Sequence, residues 1–226
     1  MAGFSEGTFA FLRQLAENNN REWFAEHKGE YEALVREPAF AFIDAISPEL
    51  HRISPHFVAK ASKVGGSLMR VYRDARFSKD KTPFKTNVGI QFRHEQGKDI
   101  HAPGFYVHIE ASEVFVGAGL WHPDVTALQG IRQHIDTFPQ SWTDVKSDPK
   151  FQKLFHFAGD ALKTAPKGFP KDHPMIEDLR RKDFIAISPV VPELCLEDDF
   201  SDIVMDYFKL TKPLMAELCR AVRIPF

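Results

Sequence analysis

Two short stretches hold side chains whose types and spacing could do chemistry. In "RVYRDARFSKDKTPFKT", Arg70 to Thr86, six basic residues (Arg70, Arg73, Arg76, Lys79, Lys81 and Lys85) stand against two acidic ones, Asp74 and Asp80. Guanidinium groups make bidentate, charge-assisted bonds to phosphate or carboxylate, and lysines add point charges, so the stretch is a candidate anion site. The bland alternative is a solvated strand end whose charges pair locally at little gain. In "FYVHIE", Phe105 to Glu110, His108 and Glu110 lie two residues apart. On a strand that spacing puts both on one face, where a carboxylate can orient an imidazole or raise its pKa. His108, Glu110 and Asp74 are therefore the acid–base candidates, weighed against a polar cross-strand contact on a wet face.

Other chemistries find less support. A metal site from His108, His122, His173 and a carboxylate is set aside, because no two histidines share a helical ligand spacing. The His-x-Glu of zinc deaminases needs a Pro-Cys-x-x-Cys partner that this sequence lacks. No nucleophile elbow or Walker loop occurs, and "VGGS" is too short for a dinucleotide fingerprint, so no motif names a cofactor. Cys195 and Cys219 are too few and too far apart for a disulfide framework; Cys219 falls on an apolar helix face.

The elements that must position these residues change period twice along the chain. Ser5 precedes a helix with Phe9, Leu12 and Leu15 at helical spacing, and Asn20 caps a second with Trp23, Phe24, Tyr31, Leu34 and Val35. "NNNREW" reads as a helix stop followed by a cap. Pro38 suits the first turn of a third helix, with Phe42, Ile43, Ile46 and Leu50 inward. From Phe57 the period becomes two, giving strands near 57–61, 68–77, 86–93, 105–111 and 113–121 with Gly- or Pro-bearing turns such as "VGGS", "KTP" and "HAPG". Helical period then returns: Asp124 or the preceding His122-Pro123 opens a helix with Val125, Leu128, Ile131 and Ile135 inward, and Asp148-Pro149 opens another. A short helix and a strand at "FIAISPV" follow. A last helix from Ser201 carries Ile203, Tyr207, Leu210, Leu214, Leu218 and Val222, with Pro213 inside it. The expected class is α+β: a central antiparallel sheet packed against N- and C-terminal helices in one domain, helical over 1–55, mostly strands over 57–122 and mostly helical over 123–226.

Alternation assigns the faces. If Ala111-Ser112 is a two-residue turn, Ile109 meets Val114, Val107 meets Val116 and Phe105 meets Ala118, keeping one side wholly apolar; a one-residue slip would mix the faces. The opposite side then collects Arg70, Tyr72, Asp74, Arg76, Gln91, Tyr106, His108, Glu110 and Trp121 over Gly89, Gly117 and Gly119. Glycines in strands mark close approach by a ligand or another backbone. Arg73 breaks the apolar pattern and must reach an edge or a partner.

Composition bounds the function. The chain has 226 residues, 43% hydrophobic and 27% charged, with a formal charge of -2. That balance suits a folded protein and argues against a dedicated nucleic-acid binder. No stretch reaches the ~20 apolar residues of a membrane span, and "MAGFSEGTFAFLRQL" lacks a signal-peptide pattern, so no membrane partner and a cytoplasmic location are expected.

Four blocks, "FLRQLAENNNREWF", "RVYRDARFSKDKTPFKT", "PGFYVHIEASEVFVGAGLWHP" and "PKGFPKDHP", resemble the uncharacterised, mostly bacterial family catalogued as domain of unknown function 2461. The resemblance spans nearly the whole chain. It implies a single-domain α+β fold and carries no catalytic residues over.

Two functional readings follow from the residues. In the first, an enzyme or sensor binds a small phosphorylated or carboxylated molecule through Arg70, Tyr72, Arg76, Lys79, Lys81, Lys85, Tyr106, Gly117, Gly119 and Trp121. In the second, a non-catalytic module docks an acidic protein or nucleic-acid backbone on its basic loop. A third, structural reading has the polar face covered by C-terminal helices, with Arg70 and Asp74 a closed ion pair.

Overall fold

The period-two segments of mid-chain form β1 (Phe57–Val58), β2 (Asn87–His94), β3 (Gly104–Glu110) and β4 (Val114–Leu120), and β5 (His156–Ala158) and β6 (Phe184–Val190) join from later in the chain. They make one sheet in the order β1-β2-β3-β4-β6-β5, every pair antiparallel. The computed structural model describes residues 3–74, 76, 78–97 and 102–226. Ala75 and Phe77, expected on the apolar side of a strand, and His101, at the start of "HAPG", lie outside the described residues.

The β3–β4 register is the one alternation demands: Ile109 opposite Val114, Val107 opposite Val116 and Phe105 opposite Ala118. Val88, Ile90 and Phe92 of β2 complete the buried apolar face. Helices α4 (Glu37–Ile53) and α9 (Phe200–Ala221) pack on each other and on that face, α9 over β4 and α4 over β1 and β2. Phe208 of α9 meets Phe105 at 4.7 Å and Phe92 at 5.9 Å, while Phe42 of α4 stacks on Phe200 at 5.3 Å. Each such ring contributes about 2 kcal/mol through burial, which is why the apolar face is the one the helices cover.

Helix starts follow their caps. Asn20 accepts from the Trp23 N–H at 3.0 Å at the head of α2 (Arg21–Glu26), after α1 (Glu6–Glu17). Asp124 accepts from Ala127 at 2.7 Å to open α5 (Val125–Thr137). After α6 (Pro139–Ser147), Asp148 accepts from Phe151 at 2.8 Å to open α7 (Pro149–Leu154). The short helix before β6 is α8 (Ile176–Leu179).

Several expectations are corrected. The second helix breaks after α2; α3 (Lys28–Tyr31) resumes and passes through a π-turn (Glu32–Arg36) directly into α4. The widened turn sits beside Pro38, whose missing N–H cannot continue a regular ladder. Val125 is 82% exposed and outside the core. On α9 the buried stripe runs through Val204, Phe208, Thr211, Met215 and Leu218, with Ile203, Tyr207 and Leu210 at its margin. Polar α6, whose one buried residue is Trp142, and three-residue β5 leave little periodic signal.

The largest correction concerns 68–77, which is no regular strand. It makes two isolated bridges, Leu68 to Ile90 and Tyr72 to Phe84, and the Arg73 N–H donates to Pro83 and the Lys85 N–H to Val71. The aspartates explain this. Asp74 accepts from the Arg76 N–H at 3.3 Å and Asp80 from the Thr82 N–H at 2.9 Å. Such local turns compete with ladder bonds for the same donors. Arg73 does find partners, Asp80 and the Thr82 hydroxyl.

A pH response is built into the end of β2. Buried His94 donates from Nε2 to the Pro225 carbonyl at 2.9 Å and accepts from the Gln96 N–H at Nδ1 at 3.1 Å, next to His56 and Glu95. Burial, the largest cause, lowers its pKa below 6.5. The unfolded chain therefore binds more protons between the two values, so stability is full above about pH 6.5 and is lost as pH falls through the folded value. Melting curves from pH 8 to 5 should show this decline, and it should shrink in His94→Gln; an unchanged slope in that variant assigns the effect elsewhere.

Candidate functional site

The uncovered face of the sheet carries two adjoining depressions. One is a cleft of about 470 Å³ over β2, β3, β4 and β6, whose walls include Asn87, Gln91, Tyr106, His108, Phe115, Trp121, His122, Ile185 and Ile187. The other is a basic groove of about 1110 Å³ bordered by Lys60, Lys63, Arg70, Arg73, Arg76 and Arg93 with Asp74 and Glu95. Met69, Gln91 and Lys85 line both.

Strand alternation delivers the cleft residues. His108 stacks on Phe115 across the hairpin at 4.5 Å and 8°. Its Nδ1 lies 3.2 Å from the Tyr106 hydroxyl and 3.3 Å from Asn87 Nδ2. Nε2 stands 3.5 Å from Glu110, too far for a hydrogen bond, and Glu110 accepts from the Thr86 hydroxyl at 2.7 Å. Burial lowers the His108 pKa while Glu110 pulls the other way; burial also pushes the Tyr106 phenol up to about 12.

The basic stretch is organised differently from its sequence pattern. Asp74 chelates the Arg76 guanidinium at 2.9 and 2.7 Å, and those bonds hold its carboxyl down at about 2. Asp74 lines the groove, whereas His108 lines the adjoining cleft. Arg70 and Tyr72 are exposed, Tyr72 leaning on Phe84 at 5.3 Å. Lys79 and Lys81 are exposed and belong to the lining of neither depression; Lys81 reaches the Arg76 carbonyl at 3.4 Å. Trp121 stands half exposed at the mouth of the cleft. With Arg70 and Asp74 both exposed, the closed ion pair of the structural reading is not what the fold builds.

Lys85 is the cation the fold singles out. It is half-buried at the junction of cleft and groove, and among the described residues no carboxylate pairs with it. Burial first, then Arg70, lowers its pKa. Asn19 positions this segment from 65 residues away: its amide donates to the Phe84 carbonyl at 3.0 Å and accepts from the Phe84 N–H at 3.1 Å. The asparagine run is thus also a clamp, a long-range role that no local signal announces.

The glycine floor divides. A Cβ on Gly117 would meet Ile187 Cγ2 at 3.5 Å, an ordinary contact, so Gly117 deepens the cleft. At Gly89 the space is filled by the Tyr106 hydroxyl and Met69 sulfur, and at Gly119 by the backbone of Phe184. Neither of those two needs a ligand to explain it.

Residues 7–216 match the family described as "Conserved hypothetical protein (DUF2461)". The chain belongs to that family. No curated protein and no solved structure gives a match. Among the described residues, no helix is long and apolar enough to cross a membrane.

Alternation places Asn87 and Phe115 on the polar face, and both line the cleft; unforeseen from sequence are Ile185 and Ile187 in its wall, Met69, whose alternation puts it on the apolar side, and Asp183 behind it. Buried Asp183 accepts from the backbone N–H of His122 at 2.8 Å and of Asp160 at 2.9 Å, which fixes His122 in the left-handed region at φ 47°. His122 and His173 are engaged by Asp183 and Asp136, each at 3.0 Å, and do not converge with His108.

Proposed function

We propose that the cleft binds a small phosphorylated or carboxylated molecule, its anion against Lys85 and Arg70 and its less polar body over Gly117. The observation that carries this reading is Lys85, a half-buried ammonium with no carboxylate partner among the described residues. Such a charge is costly until an anion pairs with it. The cleft supports the rest: apolar walls from Phe115, Ile185, Ile187 and Trp121 with a few polar atoms from Asn87, Gln91 and Tyr106 are the usual composition of a ligand site. Acid–base chemistry at such a site would fall to His108 and Glu110.

Docking of an acidic protein or nucleic-acid backbone along the groove is the weaker reading. Lys63, Arg73 and Arg76 are already paired with Glu32, Asp80 and Asp74, so the groove is less cationic than its composition suggests.

Thermal-shift measurements with nucleotides, sugar phosphates and di- and tricarboxylates test this on wild type, Lys85→Met and Arg76→Ala. A ligand at a hundredfold excess over its Kd stabilises by about 2.7 kcal/mol, roughly 5–10 °C for a chain of this size. The shift should vanish in Lys85→Met and survive in Arg76→Ala. An anion that stabilises Lys85→Met as well as wild type removes the proposal. Binding that collapses steeply with salt, with a slope reporting several neutralised phosphates, transfers support to the groove.

A further inference from the structure

We infer that His108, Glu110 and Glu113 form a divalent transition-metal site at the closed end of the β3–β4 hairpin, beside the cleft that His108 lines. The hairpin builds it. Glu110 and Glu113 flank the two-residue turn, closed by the Glu110 N–H to Glu113 carbonyl bond at 2.8 Å, and His108 is two residues up the same face of β3. One ligand atom from each side chain lies within 4.8 Å of the other two. Two atoms bound to one ion at ~2.1 Å are at most ~4.2 Å apart, so small side-chain rotations close the triad.

Three observations point to a cation. His108 Nε2 is buried and has no hydrogen-bond partner among the described residues, a condition that native proteins rarely leave in place. Glu110 and Glu113 face each other across the hairpin, and neither has a lysine or arginine partner among the described residues. Like charges directly opposite destabilise a sheet, and a bound cation reverses that sign. The outer partners of two ligands are already in place. The Tyr106 hydroxyl holds the far nitrogen of His108 while Phe115 fixes its ring plane, and Thr86 holds the second oxygen of Glu110. Such supports orient metal ligands and raise affinity. Coordination through Nε2 puts the ring proton on Nδ1, where the Tyr106 hydroxyl oxygen accepts it.

The donors choose the metal. One imidazole with two carboxylates and no thiolate favours Zn²⁺, Mn²⁺ or Fe²⁺ over Mg²⁺ or Ca²⁺. Three protein ligands leave coordination positions open, which water or a ligand anion could occupy. Glu113, exposed on the turn, gives the ion a route in.

Calorimetric titration of the chelator-treated full chain with Zn²⁺ and with Mn²⁺, in the absence of any added anion, tests the site separately from the anion proposal. Wild type should take up one equivalent. Glu110→Gln and Glu113→Gln should each weaken binding by about tenfold or more, and His173→Gln should leave it unchanged. Because Glu113 is an exposed turn residue, its variant should keep the wild-type circular dichroism, which separates ligand loss from misfolding. Absence of binding by wild type overturns the inference, as does affinity that survives both glutamate changes or falls with His173→Gln.

Discussion

Gly119→Ala should cost about 4 kcal/mol or more, lowering the melting temperature by roughly 10 °C or preventing folding outright. Gly119 has φ +139°, and a Cβ there would lie 2.1 Å from the Phe184 carbonyl oxygen and 2.8 Å from Ile185 Cα. Both obstacles are backbone atoms of β6, so no rotamer change relieves the clash. The β4–β6 ladder, in which Gly119 pairs with Ile185, must part instead. Gly117→Ala provides the contrast two residues away. Its nearest neighbour would be the flexible Ile187 side chain at 3.5 Å, and its backbone is not in the left-handed region. That variant should melt within about 2 °C of wild type, given the strand cost of glycine itself, while losing cleft depth. Equal melting temperatures for the two variants would show that the approach of β6 is not what requires Gly119.

Asp183→Ala should destabilise by about 2–6 kcal/mol, because two part-buried backbone N–H groups, of His122 and Asp160, lose their acceptor at about 1–3 kcal/mol each. Gly159, at φ +91°, leaves the room this carboxylate occupies; a Cβ there would lie 2.4 Å from Asp183 Cβ. The loss should reach the cleft as well, since His122 lines its rim. Urea unfolding should show a lower midpoint with an unchanged m-value, and amide exchange should quicken at His122 and Asp160. Asp183→Asn keeps one acceptor oxygen and should fall between the two. Unchanged stability in Asp183→Ala would mean that water satisfies both donors.

The candidate site was legible in part. His108, Glu110, Tyr106, Gly117 and Trp121 could be placed on one face because alternation admits no other register for β3 and β4 without burying polar groups. Arg70 and Lys85 were legible as cations, but the difference between them was not. Lys85 follows Phe84, which Asn19 clamps from 65 residues away, a contact between residues far apart in sequence. Asp74 misled because its spacing suits an edge strand, whereas its carboxylate bonds Arg76 two residues on and turns the chain out of the ladder. Glu113 sits beside the turn that alternation requires, and its approach to His108 and Glu110 depends on two strands meeting, which no spacing within one element announces.

By itself the sequence determined the α+β class, the helix starts at Asn20, Asp124 and Asp148, the hairpin register and the face the core occupies. These are local or period-two properties, decided by caps and by which side chains leave water. Tertiary structure alone decided that β6 inserts beside β4 and that Gly119 must let it approach. It also decided that the polar face stays uncovered, that Lys85 ends without a carboxylate partner and that His108 Nε2 ends without a hydrogen-bond partner among the described residues. Those outcomes depend on which distant surfaces meet, and pairing energies of about 1 kcal/mol per contact are settled only when the whole chain has packed.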